Sequence, residues 1–131
     1  MEFGKQQNVS DSNAQKKSKL TLEPLLSFNC SLTTDMQVTS LDFNPQNADL
    51  LLVGYRPRHT AKRGKKGMIC FWTVKNSEFP ERVLHTSAGV TAVKFSKSNP
   101  SIFGVGMIDG TVAIYDMKRN QDRCFLHFLF I

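Results

Sequence analysis

Six cations fall within eleven residues of this chain: Arg56, Arg58, Lys62, Arg63, Lys65 and Lys66. A stretch this basic can meet an acidic protein surface or the phosphates of a nucleic acid. Binding of single strands also needs aromatic rings among the cations, on which bases stack. Only Tyr55 flanks this cluster. Nucleic acid is therefore not the expected target, and the six cations are taken as a candidate loop for binding a protein partner. The plain alternative is a solvated surface loop.

Other residues with chemical potential combine poorly. Gly104-Val105-Gly106-Met107-Ile108-Asp109-Gly110 resembles a dinucleotide fingerprint, but the third glycine is one place late and a strand pattern follows instead of a helix. The three histidines, His59, His85 and His127, stand apart, with no Cys or carboxylate at ligand spacing. No nucleophile-elbow, zinc-protease or phosphate-loop pattern occurs. Cys70 lies inside an apolar run, which suits a buried thiol better than a nucleophile. The chain is expected to have no catalytic residues, no cofactor, no metal and no small-molecule substrate.

The 131 residues amount to about one domain, and 40% are hydrophobic. The apolar content is uneven. Residues 1–20 are rich in Gln, Asn, Ser and Lys, and they cannot bury enough surface to offset the entropy of ordering. This part is expected to be a disordered polar and basic tail. It lacks the apolar stretch of a secretory signal, and no run is long enough to span a membrane as a helix. Cys30, Cys70 and Cys124 are odd in number and widely spaced, as befits free thiols in a reducing compartment. The glycosylation patterns at Asn8-Val9-Ser10 and Asn29-Cys30-Ser31 are then chance matches.

The elements come from an internal repeat. Val38-Thr39-Ser40-Leu41-Asp42-Phe43 returns as Val90-Thr91-Ala92-Val93-Lys94-Phe95, 52 residues later. At the same offset Asn47 pairs with Asn99, Leu50 with Ile102, and Gly54 with Gly106. Gly67 to Trp72 then matches Gly110 to Tyr115 at an offset of 43. The first copy thus carries nine extra residues, which fall in the basic stretch between Tyr55 and Lys66. An insertion confined to one copy belongs in a surface loop.

Each copy reads as short strands. Residues 38–43 and 90–95 alternate, with Leu41 and Phe43, and Val93 and Phe95, on one face. Residues 50–54 and 102–107 are continuous apolar runs, which must be covered on both faces. Residues 68–74 and 111–117 have the β-branched and aromatic composition that strands favour. Residues 81–85 suit an exposed fourth strand, and residues 25–30 an outer strand ahead of the first copy. Asp109-Gly110 predicts a type I′ hairpin turn. Asp109 is expected to cap that turn and Asp116 to bond nearby backbone. Trp72 and Tyr115 occupy corresponding places and are expected in the core. Phe43, Gly54, Phe95, Gly106 and Gly110 complete the structural positions of the repeat. With no amphipathic helix to cover the strands, sheets must stack on sheets, as propeller blades do. The fold class is therefore all-β, a partial propeller of about two four-stranded blades (residues 36–86 and 88–118), followed by an apolar extension over residues 120–131.

Repeats of this length ending in Trp72-Thr73 and Tyr115-Asp116 resemble degenerate WD40 repeats. Lys66-Gly67-Met68-Ile69-Cys70-Phe71-Trp72, Lys75-Asn76, Pro80-Glu81-Arg82-Val83, Gly89-Val90-Thr91-Ala92-Val93 and Val105-Gly106 through Asp109-Gly110-Thr111-Val112-Ala113-Ile114-Tyr115-Asp116 resemble the dynein intermediate chains, the axonemal members above all. The likeness covers residues 25–119. It implies a non-catalytic scaffold subunit whose propeller docks on the dynein heavy chain, with other intermediate and light chains as partners. The implied location is the cytoplasm and cytoskeleton, at the axoneme of a cilium or flagellum. A general WD-repeat adaptor unrelated to dynein is the alternative. Two departures stand out. Two repeats are fewer than the four to eight blades of a closed propeller, which suggests a shortened form. Residues 124–131 match nothing in the family pattern and suit either a last outer strand or an extension without a role. Two blades leave apolar faces and strand edges open, so the isolated chain is expected to associate.

Overall fold

The computed structural model describes residues 20–59 and 66–119, together with the backbone of residues 126–129. The tail up to residue 19, three of the six cations (Lys62, Arg63 and Lys65) and Cys124 lie outside the described residues.

Among the described residues, eight strands form two antiparallel sheets. Blade 1 holds β1 (Met36–Phe43), β2 (Leu50–Pro57), β3 (Met68–Thr73) and β4 (Arg82–His85), side by side in chain order. Blade 2 repeats the arrangement with β5 (Val90–Phe95), β6 (Ile102–Met107), β7 (Thr111–Asp116) and β8 (Leu126–Leu129). Simple meanders of this kind need only short turns, and the Asn-Pro and Ser-Asn-Pro segments supply them. Asn44 accepts from the backbone N–H of Gln46 and Asn47, and Asn99 from that of Ser101. Both blades carry a bulge at the same repeat position, Thr39 in β1 and Thr91 in β5.

The blades stack on each other, and the main core lies between them. Leu52, Ile69, Phe71 and Leu84 of blade 1 meet Val90, Val93, Phe95, Phe103, Val105, Met107, Ala113 and Tyr115 of blade 2. A second cluster covers the opposite face of blade 1. There Leu51, Val53, Tyr55, Met68, Cys70 and Trp72 are buried beneath Phe28, Cys30 and Met36. This answers why β2 is apolar on both faces: alternate residues belong to alternate clusters.

Several expectations change. Residues 25–30 form no strand. Leu25 is exposed, Asn29 N bonds Ser77 O at 3.2 Å, and a 3-10 turn follows at Ser31–Thr33. A strand needs a neighbouring edge, and the repeat assigns this segment to the edge of a sheet preceding blade 1. Among the described residues no such sheet precedes blade 1, and Phe28 lies on Trp72, ring centroids 5.4 Å apart. Arg56 is not in a loop: β2 runs to Pro57, and Arg56 pairs with Gln37. The hairpin at Asp109-Gly110 is not type I′. Gly110 N bonds Met107 O (3.1 Å), so Ile108 and Asp109 are the central turn residues. Gly110 follows them at φ +87°, which makes a three-residue loop closed by a left-handed glycine. Within the apolar extension, Leu126–Leu129 pairs antiparallel with β7 as the outer strand of blade 2.

Candidate protein-docking surface

The joint between the blades is built largely by one polar edge of β1. Thr39 directs its hydroxyl to Val90 O (2.7 Å). Ser40 accepts from Val93 N (3.1 Å), Asp42 from Phe95 N (2.8 Å), and Asn44 donates to Pro100 O (2.9 Å). These side chains satisfy the free edge of β5, which would otherwise leave N–H and C=O groups unpaired. The sequence repeat hinted at them only by contrast, since blade 2 has Ala92 and Lys94 where blade 1 has Ser40 and Asp42. At the outer rim, Arg82 donates to Met117 O (3.2 Å) and Arg119 O (3.1 Å), tying β4 to the end of blade 2. Hydrogen bonds from a charged donor contribute more than neutral ones. Arg82→Ala is expected to lower stability by about 1–2 kcal/mol, read from the urea midpoint; no change in the midpoint would show that the rim tie is idle.

The repeat positions named from the sequence lie on both faces of the blades and in their turns. Trp72 is fully buried and donates its indole N–H to the Tyr55 hydroxyl, Oη (2.9 Å). Tyr115 stacks on Phe103, with ring planes 6° apart. Phe95 is buried, whereas its repeat mate Phe43 is 53% exposed. Asp109 accepts from Thr111 N and Asp116 from Lys118 N. Gly54 lies against Val90, and a Cβ at Gly106 would meet Thr91 and Ala92 at ordinary contact distance.

Two shallow clefts of about 360 Å³ open near the turns. One is lined by Asn47, Asp49, Leu50, Thr73, Lys75 and Glu81, the other by Asn44 and Asn47 opposite Asn99, Pro100 and Lys118. Neither joins a nucleophile to a base. Among the described residues, no group of three His, Cys, Asp or Glu side chains is placed to hold a metal ion, and no helix is long and apolar enough to cross a membrane.

Cys70 is buried, and burial pushes its thiol from 9.0 up to about 12, with Cys30 nearby adding to the shift. Burial also lifts Tyr55 to about 12, against the lowering effect of its bond from Trp72. For both groups the folded state keeps a proton that the unfolded chain releases. Their contribution is therefore complete below the unfolded values and is lost as pH rises through about 9 to 12. Thiol reagents at neutral pH are expected to modify half-buried Cys30 well before Cys70, and to reach Cys70 at a comparable rate only in denaturant; mass mapping of labelled peptides checks this.

Three members of the basic cluster are described. Arg58 and Lys66 are exposed, and Arg56 is half-buried. They flank residues 60–65 at one end of the β2–β3 hairpin. Arg56 Nε donates to Gln37 Oε1 (3.3 Å) and Arg58 Nη2 to Met36 O (3.4 Å). The guanidinium groups are thus held at one corner of blade 1, with hydrogen-bonding capacity left for a partner.

Comparison with known proteins agrees with this architecture. No family model matches the chain. Curated relatives do. The chain is 46% identical over 102 residues to dynein axonemal intermediate chain 4 of Xenopus laevis, and 45% over 101 residues to that of Homo sapiens. These alignments take in 78% and 77% of this chain. The chain belongs to the axonemal dynein intermediate chains. A more distant member, the 78 kDa flagellar outer-arm intermediate chain of Chlamydomonas reinhardtii, is 33% identical over 111 residues. The chain spans only 14%, 12% and 16% of these three relatives. A solved structure described as that of the Dos1 propeller superposes with a TM-score of 0.56 over 71% of this chain and 22% of the other. At 12% identity that likeness shows the propeller fold alone. Arg82, in the Pro80-Glu81-Arg82 segment that resembles the intermediate chains, is the rim tie between the blades.

Proposed function

We propose that this chain serves as a non-catalytic scaffold in an axonemal dynein complex, its blades docking on the dynein heavy chain in company with other intermediate and light chains, in support of ciliary or flagellar motility. The observation that carries this reading is identity of 46% spread over 78% of the chain with an axonemal dynein subunit. The blade architecture supports it: buried side chains hold two sheets together. Arg56, Arg58 and Lys66, with Lys62, Arg63 and Lys65 beside them in sequence, are the candidate contact for an acidic surface on the partner. Opposite potentials steer association and set its salt dependence.

The test is affinity capture of the tagged chain from ciliated-cell extract at moderate salt. Recovery of dynein heavy chain with intermediate and light chains is the expected result. Recovery of chaperones alone would overturn the reading. The triple change Arg56→Glu, Arg58→Glu and Lys66→Glu is expected to cut heavy-chain recovery about tenfold and to flatten its salt dependence. Recovery unaffected by that change would remove the basic cluster from the contact.

A further inference from the structure

The link between the blades, residues 86–89, is gripped from both sides. From blade 1, Gly67 N–H donates to Ala88 O (3.1 Å), and Gly67 O accepts from Thr86 N (3.0 Å). From blade 2, Ile108 N–H donates to Gly89 O (2.8 Å). Gly89 lets the two sides close up: a Cβ there would stand 2.9 Å from Arg56 Cβ and 3.7 Å from Ile108 Cγ2. Arg56 and Ile108 hold matching places in the repeat. Arg56 follows Tyr55, which pairs with Val38, and Ile108 follows Met107, which pairs with Val90. The β2–β3 end of blade 1 and the β6–β7 hairpin of blade 2 therefore meet at one edge of the joint. Lys66, next to Gly67, borders the same link.

Ile108 is 62% exposed at the centre of a tight turn, where Asn, Asp, Ser and Gly have the conformational advantage. Its side chain thus serves neither the core nor the turn, and it stands beside the most firmly held cation of the cluster. Arg56 is half-buried, and Gln37 takes only its Nε–H. The spacing of cation and aliphatic group is set by contacts between these two blades, so it is a property of the joint itself.

We infer that this corner binds an acidic peptide segment that also carries an aliphatic side chain. The carboxylates meet Arg56, Arg58 and Lys66, and the aliphatic group packs on Ile108. This rests on the reading of the basic cluster as a contact with a dynein partner, and it adds blade 2 to that contact. The cations select the sign of the partner's charge. Ile108 selects protein over nucleic acid, because it offers an aliphatic surface and no ring face on which a base could stack.

Fluorescence anisotropy on the full chain tests the inference with two labelled acidic peptides, alike except for a leucine or an alanine set between the glutamates. The leucine peptide is expected to bind about three- to tenfold more tightly, from the apolar area it buries. Ile108→Ser is expected to abolish that preference and leave the urea midpoint unchanged, since an exposed side chain contributes little to folding. The triple change Arg56→Glu, Arg58→Glu and Lys66→Glu is expected to remove binding of both peptides at low salt. No binding of either peptide, equal binding of the two, a preference that survives Ile108→Ser, or tighter binding of a single-stranded oligonucleotide of equal charge would overturn the inference. Heavy-chain capture separates its failure from that of the motor reading. A leucine preference lost in Ile108→Ser, with no heavy chain recovered by the parent, upholds the corner and overturns the motor reading. Heavy chain recovered equally by the parent and by Ile108→Ser does the reverse.

Discussion

Phe103→Ala is expected to cost about 3–5 kcal/mol, the range for removing a buried aromatic ring. Phe103 is 1% exposed and stands where three other rings converge. Phe71 reaches it across the joint edge-on at 5.2 Å, Phe95 lies at 6.1 Å, and Tyr115 stacks on it at 5.2 Å. Truncation removes the ring's own burial and leaves three neighbours beside a void that a close-packed interior cannot collapse to fill. Domains of this size are stable by about 5–15 kcal/mol in all, so the variant is expected to be largely unfolded or close to it. Leu41→Ala makes the contrast. Leu41 is 54% exposed on the open face of β1, and its loss is expected to cost about 1 kcal/mol or less. Urea unfolding followed by Trp72 fluorescence compares the two. Equal losses would mean that the core between the blades is not what holds the chain together.

Gly54→Ala and Gly106→Ala place the same methyl group at the same step of the repeat, and opposite outcomes are expected. At Gly54 the new carbon would overlap Val90 Cγ1 and come within 3.0 Å of Val93 Cγ1. Both valines are buried and stiff about χ1, so the blades must part to admit it. The expected cost is about 1–3 kcal/mol, as for overpacking elsewhere. At Gly106 the nearest contacts are ordinary, and neither glycine needs a left-handed backbone. Gly106→Ala is expected to stay within about 0.5 kcal/mol of the parent, or to gain slightly from reduced freedom of the unfolded chain. Thermal denaturation of the two variants decides it. A matching loss at both positions would mean that the glycines serve the strands themselves and not the approach of a second blade.

Much of this architecture was legible in the residues. The 52-residue repeat, the alternation in Val38–Phe43 and Val90–Phe95, and the apolar runs at 50–54 and 102–107 marked two matching sheets, because side chains two apart share a face of a strand. The nine-residue insertion between Tyr55 and Lys66 located a surface hairpin end, though β2 carries the pairing further, to Pro57. The axonemal dynein likeness rests on motifs spread over β3, β4, β5, β6 and β7 and the turns beside them.

The candidate contacts were less legible. The sequence identified six cations, but not that Arg56 belongs to a strand and bonds Gln37. It suggested an outer strand at residues 25–30, because the pattern suits one. Strand formation depends on a partner edge, and only the tertiary structure shows that Phe28 turns onto Trp72 instead. The ties of Ser40, Asp42, Asn44 and Arg82 escaped notice for a related reason. Each joins residues far apart in the chain, and polar side chains on a strand look solvated until the neighbouring backbone is in place.

The sequence by itself thus determined the all-β class, the two-blade period and the family, since these depend on local alternation and on repetition along the chain. Only the tertiary structure decided which of two equivalent faces is buried. Val90, Val93 and Phe95 are covered while Val38, Leu41 and Phe43 stand half exposed, because burial depends on the presence of a neighbouring sheet and not on the strand's own residues.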